Sequence, residues 1–351
     1  MKMSLPPCCR LLTSYAASTF PPVFPFSQRD LVPQDNAPAS EFYTYSRLVN
    51  HIDDHAIDNL RRLYGHVLPS NTSAAEFTTV AKVLDICSSW VSHIPYSTDR
   101  QSSISPRIQV VGIGMNGKEL EANKILSHWV VHDLDKEPDF RRALKDARKG
   151  QAYEAIQKLQ GTSEGQDGVS PEGPYDAVIC NVSIDYLSQP LEVMEQVGMN
   201  LKPGAWAYMA ISNRCFPTKV RYLNHGPAHA LLIFVVQVVR PWLNLSTTDR
   251  LHLVASYFYF AGTPYSPTDQ GSTRTVATAL KRLRDGLGAG ALFGTGGQVE
   301  GNDTETSTEE SSSLQPGQLF EDIQSLVLVE ENNADGDDPL WVVRARRKDD
   351  S

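Results

Sequence analysis

Apolar residues recur at positions 48, 49, 52, 57, 60 and 63 of SRLVNHIDDHAIDNLRRLYGHVLP, and this spacing predicts a helix that stops at Gly65 and Pro69. Beyond it the pattern changes to short apolar runs, each followed by polar or helical sequence. KVLDIC (82–87) leads into a serine-rich loop, IQVVGIG (108–114) precedes a helix over KELEANKIL, and HWVVHDL (128–134) follows that helix. YDAVICNV (175–182) precedes LEVMEQVGMNL, and AWAYMAIS (205–212) follows LKPG. SLVLVEE (325–331) and PLWVVRARR (339–347) close the chain with only a loop between them, so they should pair antiparallel. Strands this apolar are buried on both faces. Their alternation with helices predicts an α/β fold built on a doubly wound, mostly parallel sheet of seven strands, with an antiparallel terminal strand.

Two stretches interrupt the alternation. RRALKDARKGQAYEAIQKLQ (141–160) is basic and helical in pattern, and it runs into the loop GTSEGQDGVSPEGP. Residues 286–317 hold GLGAGALFGTGGQ and a TSTEESSS run with too little apolar surface to order itself. ALLIFVVQVVRPWL (230–243) is the most apolar run, but it is too short to span a bilayer and is interrupted by Gln237, Arg240 and Pro241. It reads as a buried or interfacial helix. The first thirty residues are rich in Ser and Pro and carry no acid before Asp30, while prolines at 21, 22 and 25 break any amphipathic transit helix. These features predict a disordered leader over 1–40 and one domain over 41–347, with insertions at about 141–174, 221–247 and 271–317. The expected compartment is the cytoplasm, with import into a mitochondrion or plastid as the alternative.

Composition removes some functions. The 351 residues suffice for a substantial core, and 41 acidic against 32 basic residues leave a net charge of −9, which gives nucleic-acid binding no electrostatic support. Cys87, Cys180 and Cys215 each sit in or just beyond an apolar run and read as small buried hydrophobes in a reducing compartment. The five cysteines show neither metal-ligand spacing nor a disulfide framework. His51, Asp53 and Asp54 on the leading helix read as surface caps, and no metal site is expected.

GIGMNG (112–117) satisfies G-x-G-x-x-G, follows an apolar strand and opens a helix, and Asp133 ends the next strand. An NAD(P)-dependent oxidoreductase asks for that arrangement, because glycines let the backbone approach a pyrophosphate and an acid holds the ribose. A tight strand-to-helix turn satisfies the same letters. Position counts against the dinucleotide: KVLDIC comes first, so GIGMNG ends the second strand.

From His51 to Phe216 the chain resembles the class I S-adenosylmethionine-dependent methyltransferases, in particular an uncharacterised type-11-like branch. The resemblance rests on HIDD, VLDICSSWVSH in place of a glycine-rich loop, VVGIGMN, VVHDL, SNRCF, and YDAVICNVSIDYL followed by LKPGA. It implies S-adenosyl-L-methionine as cofactor and a small molecule as methyl acceptor. By resemblance Asp85 would orient the loop and the cofactor's methionine end, and the hydroxyls of Ser88 and Ser89 could bond its amino or carboxylate group. Gly112 and Gly114 line the second strand. Met115 and Asn116 stand where many relatives place an acid for the ribose, and Asp133 with Leu134 would meet the adenine; Asp133 could equally cap a turn. Asn181 follows the fourth strand, beside the sulfonium. Asp185 or Tyr186 could be a base if the acceptor must lose a proton, and Asp185 could equally cap the next helix. Asn213 and Arg214 leave the fifth strand on the substrate side, where Arg214 could also pair with a neighbouring carboxylate. Two other readings stand beside methyl transfer: a noncatalytic scaffold that keeps the fold, and the oxidoreductase using GIGMNG.

Overall fold

The computed structural model describes residues 5–32, 46, 48–68, 80–95, 108–160, 169–213, 219–222, 232–235, 241–242, 245–266, 276–288 and 314–349. In chain order these form β1 (Arg10–Ser14), α1 (Asp54–Val67), β2 (Ala81–Ile86), β3 (Ile108–Gly114), α2 (Gly117–Ala122), β4 (Leu126–Val131), α3 (Arg141–Leu144), β5 (Arg148–Lys149), α4 (Tyr153–Gln160), β6 (Tyr175–Asn181), α5 (Pro190–Asn200), β7 (Leu201–Ser212), β8 (Lys219–Tyr222), β9 (Leu232–Val235), α6 (Thr247–Tyr259), α7 (Val276–Gly288), β10 (Phe320–Val329) and β11 (Leu340–Arg347).

Nine strands form one sheet in the order β1-β10-β11-β7-β6-β2-β3-β4-β5. The five central strands β7, β6, β2, β3 and β4 are parallel. β11 runs antiparallel between β7 and β10, as the closing pair of apolar runs predicts. The sheet is wider than the seven strands expected because β1 and β5 add an antiparallel strand at each edge. Along the central strands, alternate residues feed two cores. Leu84, Ile86, Val178, Cys180, Met209 and Ile211 face the layer of α3, α5 and α6, whereas Val83, Ala177, Ile179, Tyr208 and Ala210 face α1 and α2.

The expectation of a disordered leader does not hold for residues 5–32. β1 pairs with β10, and Phe24, Phe26 and Leu31 are fully buried, with Phe20 6% exposed. Prolines exclude an α-helix here, but a strap with short 3-10 turns at Ala17–Thr19 and Gln28–Leu31 can still bury the aromatic rings. Ser266 fastens the strap, its hydroxyl donating to the Phe24 carbonyl at 2.6 Å and its N–H to the Phe26 carbonyl at 3.2 Å.

Two helical readings are also corrected. The basic stretch is not one helix, because β5 interrupts it and packs so closely that a Cβ on Gly150 would lie 2.2 Å from the Leu126 carbonyl oxygen. In the apolar run 230–243, Leu232–Val235 is a strand paired with Lys219–Tyr222, so β-branched and aromatic content there prevails over length. Most of the expected insertions at 221–247 and 271–317 lies outside the described residues. Among those residues, no helix is long and apolar enough to cross a membrane.

Since Phe24 is fully buried against Phe26, Tyr257, Phe260 and Tyr265, Phe24→Ala should destabilise the whole domain by about 3–5 kcal/mol in urea unfolding. A change below about 0.5 kcal/mol, the size of an ordinary surface substitution, would mean the strap is not part of the core.

Candidate functional site

β2 and β6 are neighbours, with β3 and β4 continuing the sheet on one side and β7 on the other. Doubly wound sheets bind ligands outside the carboxyl ends of their strands at such a reversal of order. The candidate site is the cluster of side chains at the ends of β2, β3 and β6.

Asp85 is 1% exposed near the end of β2. The Ser88 hydroxyl donates to its Oδ2 at 2.7 Å, and Ser92 supplies a second hydrogen bond. Burial pushes the Asp85 carboxyl up to about 7, against the lowering effect of those two hydroxyls. The same loop is held from below by Asn123, whose Nδ2 donates to the Ser92 Oγ and to the Ser89 carbonyl, both at 2.9 Å. The Ser89 hydroxyl donates to Glu119 Oε2 at 2.6 Å, and the Ser88 N–H to the Ile113 carbonyl at 2.7 Å. Trp90 turns outward, its Nε1 donating to the Val49 carbonyl at 3.1 Å.

This fold-back explains the glycines of GIGMNG. A Cβ on Gly114 would lie 2.1 Å from the Ser88 carbonyl oxygen, and one on Gly112 would lie 2.7 Å from Leu126 Cδ1 and 3.1 Å from the Ser88 Oγ. Gly114 makes room for the protein's own loop, and Gly112 chiefly for the Leu126 side chain of β4. Gly117, in the first turn of α2, meets only Val131 at 3.3 Å and the Trp129 ring further off. A tight strand-to-helix turn accounts for the close approach at Gly114.

Several expected cofactor contacts already have protein partners. Asn116 caps α2, its Oδ1 accepting from the N–H groups of Lys118 at 3.0 Å and Glu119 at 3.2 Å and from the Ser46 hydroxyl at 3.3 Å. Asp133 caps a turn, accepting the Asp135 N–H at 3.2 Å and pairing with Lys136 at 3.1 Å. Leu134 is core, and Met115 is half-buried. Asn181 bridges three elements: its Oδ1 accepts from the Tyr64 hydroxyl of α1 at 2.7 Å, and its Nδ2 donates to the Ser92 carbonyl at 3.1 Å.

Three non-glycine residues here have left-handed backbone: Cys87 (φ 54°), His93 (φ 55°) and the β-branched Val182 (φ 44°). Such conformations persist only where the surroundings over-determine them, and they cluster at ligand sites. Asp185 lies in the short turn Ile184–Tyr186 and is 6% exposed; Tyr186 is half-buried. Asp185 does not cap α5, whose N-cap is Gln189. Asp185 interacts electrostatically with Tyr257, whose buried hydroxyl has no hydrogen-bond partner among the described residues. The buried Nδ1 of His93 has none either. Asp135 ties the exit of β4 to that of β6 by accepting the Ser188 N–H at 2.7 Å. Asn213 is half-buried beyond β7, while Arg214 and Cys215 lie outside the described residues. No metal-binding cluster of His, Cys, Asp and Glu occurs among the described residues.

Sequence reasoning missed Ser92, Glu119, Asn123 and Tyr64. Ser92 stands in the same SSWVSH run that drew attention to Ser88. Tyr64 sits on the apolar face of α1, where periodicity registers a filler and not a hydroxyl.

No protein-family model matches the chain, and no curated protein does. Among solved structures it is similar to an S-adenosylmethionine dependent methyltransferase from Mesorhizobium loti, with 11% identity, TM-score 0.27, and 77% of this chain and 92% of that one covered. It is similar also to a SAM dependent methyltransferase from Archaeoglobus fulgidus, with 10% identity, TM-score 0.28, and coverage of 77% and 87%. In a complex with the Haloferax volcanii Trm112 methyltransferase activator, the matched chain is 15% identical at TM-score 0.24; 45% of this chain and about half of that one, 51%, are covered. Likenesses of this size assign no site. The sheet itself has a parallel core with β11 inserted antiparallel beside β7.

Asp85 gives the site a pH signature. An unfolded Asp ionises near 3.9 and the buried one near 7. Its contribution to stability is fully present below about pH 4 and is lost as pH rises towards 7, a change of about 4 kcal/mol. His93, His128 and His252, each lowered to about 4 by burial, work in the opposite direction over an overlapping range. The difference between Asp85→Asn and wild type in urea unfolding cancels those histidines. The variant should gain on the wild type as pH rises from about 4 to about 7 and hold level above; a difference independent of pH would place Asp85 in a solvated setting.

Proposed function

We propose that the protein is an S-adenosylmethionine-dependent methyltransferase acting on a small molecule. The observation that carries this reading is the polar cluster at the ends of β2 and β6: strained Cys87 and Val182 flank it, and Tyr257 and His93 retain unused hydrogen-bonding atoms. Unsatisfied buried polar atoms are rare in folded proteins, and a ligand is one way to satisfy them.

The residues fit the cofactor in part. The strand ends stand in the expected order, and Asp85 fits a role in ordering the loop, because it is too deeply buried to touch a ligand itself. Asn181 and the backbone of residues 89–91 are the groups that would hold the methionine end, with Asn213 on the substrate side. Ser88 and Ser89 could do so only by giving up Asp85 and Glu119. When bound, the cofactor supplies an electrophilic methyl group. Methyl transfer asks the protein chiefly for alignment and exclusion of water. Asp185 is the residue that would take a proton from a hydroxyl or amine acceptor, and the apolar layer around Tyr257 favours a largely apolar acceptor.

One observation favours a second reading. Ser88, Ser89, Asn116 and Asp133, all expected at the cofactor, are engaged with protein partners. A noncatalytic scaffold would keep such a loop closed.

Thermal unfolding with S-adenosylmethionine, S-adenosylhomocysteine and NADH separates the readings. A saturating ligand at a hundredfold excess over Kd stabilises by roughly 2.7 kcal/mol. Stabilisation by the first two alone is expected. No stabilisation by any ligand would leave the scaffold, and stabilisation by NADH alone would restore the oxidoreductase.

A further inference from the structure

Strand alternation puts Ile86 and Cys180 in the same core layer, and the two are register partners across β2 and β6. One more extended residue would send the Cys87 side chain to the opposite face. Cys87 instead adopts φ 54°, which breaks the alternation and returns its thiol to the layer that holds Cys180. The two thiols are in hydrogen-bonding contact, and both cysteines are free. Cys180 is fully buried, whereas Cys87 is half-buried and sits at the mouth of the loop.

We propose that Cys87 and Cys180 form a site of reversible oxidation, closing to a disulfide between the β2 loop and β6 when a hydroperoxide reaches Cys87. The Cys87 thiolate attacks the peroxide, its sulfur becoming a sulfenic acid while the O–O bond breaks and the outer oxygen leaves as water or alcohol. The Cys180 sulfur then attacks that sulfenic sulfur, the S–O bond breaks, and the hydroxyl leaves with the thiol proton as water. Two thiols are oxidised and one peroxide is reduced. The order of events follows from access, since a partly exposed sulfur meets the oxidant before a buried one. The hydrogen bond to Cys87 and burial hold the Cys180 thiol well above its ordinary range, so Cys180 is not the sulfur that attacks the peroxide first. Adjacent strands bring Cα atoms within the span a disulfide bridges, and the bond would fasten the loop carrying Ser88 to the floor of the sheet. None of this depends on the cofactor proposed above.

The test is peptide mapping of the full chain after treatment with hydrogen peroxide, blocking with N-ethylmaleimide and digestion without reductant. A linked Cys87–Cys180 peptide that dithiothreitol abolishes is expected, with maleimide labelling at both positions falling together. In Cys180→Ala, Cys87 should accumulate as sulfenic acid, trapped by dimedone. In Cys87→Ala, Cys180 should stay reduced and unlabelled until the protein is unfolded. The proposal is overturned if wild-type Cys87 passes to sulfinic acid without cross-linking, or if the linked peptides join only Cys8 with Cys9 or Cys87 with Cys215. A Cys180→Ala variant that does not fold leaves the wild-type mapping and Cys87→Ala to decide the matter.

Discussion

A buried carboxylate sets the geometry of this protein's centre. Asp85 sits where two hydroxyls must meet it, because an unpaired carboxylate at 1% exposure would be far costlier than the loop that satisfies it. Ser88 and Ser92 supply those hydroxyls, and drawing both to one carboxylate bends residues 86–93 back over β3. Once there, the loop presses the Ser88 carbonyl onto Gly114, gives Asn123 two acceptors and Glu119 a donor, and offers the Ser92 carbonyl to Asn181. Asn181 in turn holds Tyr64, so α1 is fastened to the same point. The strained backbones at Cys87, His93 and Val182 follow from a loop and a strand exit constrained from several sides.

The sheet was legible in the chain because its signals are local. Largely apolar runs such as VLDI and AVIC point to central parallel strands, and the two closing runs with one loop between them to a hairpin. What escaped notice was non-local. Phe20, Phe24 and Phe26 look like residues of a proline-broken tail until α6 and Ser266 are brought against them. The β5 strand is two residues long, below any periodicity. At the site, Asp85 and Asn181 come from the family resemblance, and the structure places both in one hydrogen-bonded cluster. The letters of Gly112 and Gly114 leave two readings open, because they serve a pyrophosphate or a tight protein turn alike. Only the partner distinguishes them, and the partner is Ser88.

That distinction reorders the candidate functions. Glycine in a strand marks close approach of something, and here the approaching group belongs to the chain. The serines that replace a glycine-rich loop are therefore structural first, tying Asp85 and Glu119, and any ligand must be met by what they leave exposed. The loop is anchored through a carboxyl that burial pushes up to about 7, and it carries a half-buried thiol packed in the same core layer as Cys180.

The fold-back of the loop onto β3 is tested most directly by comparing Gly114→Ala with Gly117→Ala in urea unfolding. A methyl group at 114 meets the Ser88 carbonyl oxygen at 2.1 Å, whereas at 117 it meets a valine methyl at 3.3 Å that can move aside. Gly114→Ala should cost on the order of 3 kcal/mol or more, with Gly117→Ala within about 1 kcal/mol of wild type. Equal stability of the two variants would contradict the placement of the Ser88 loop.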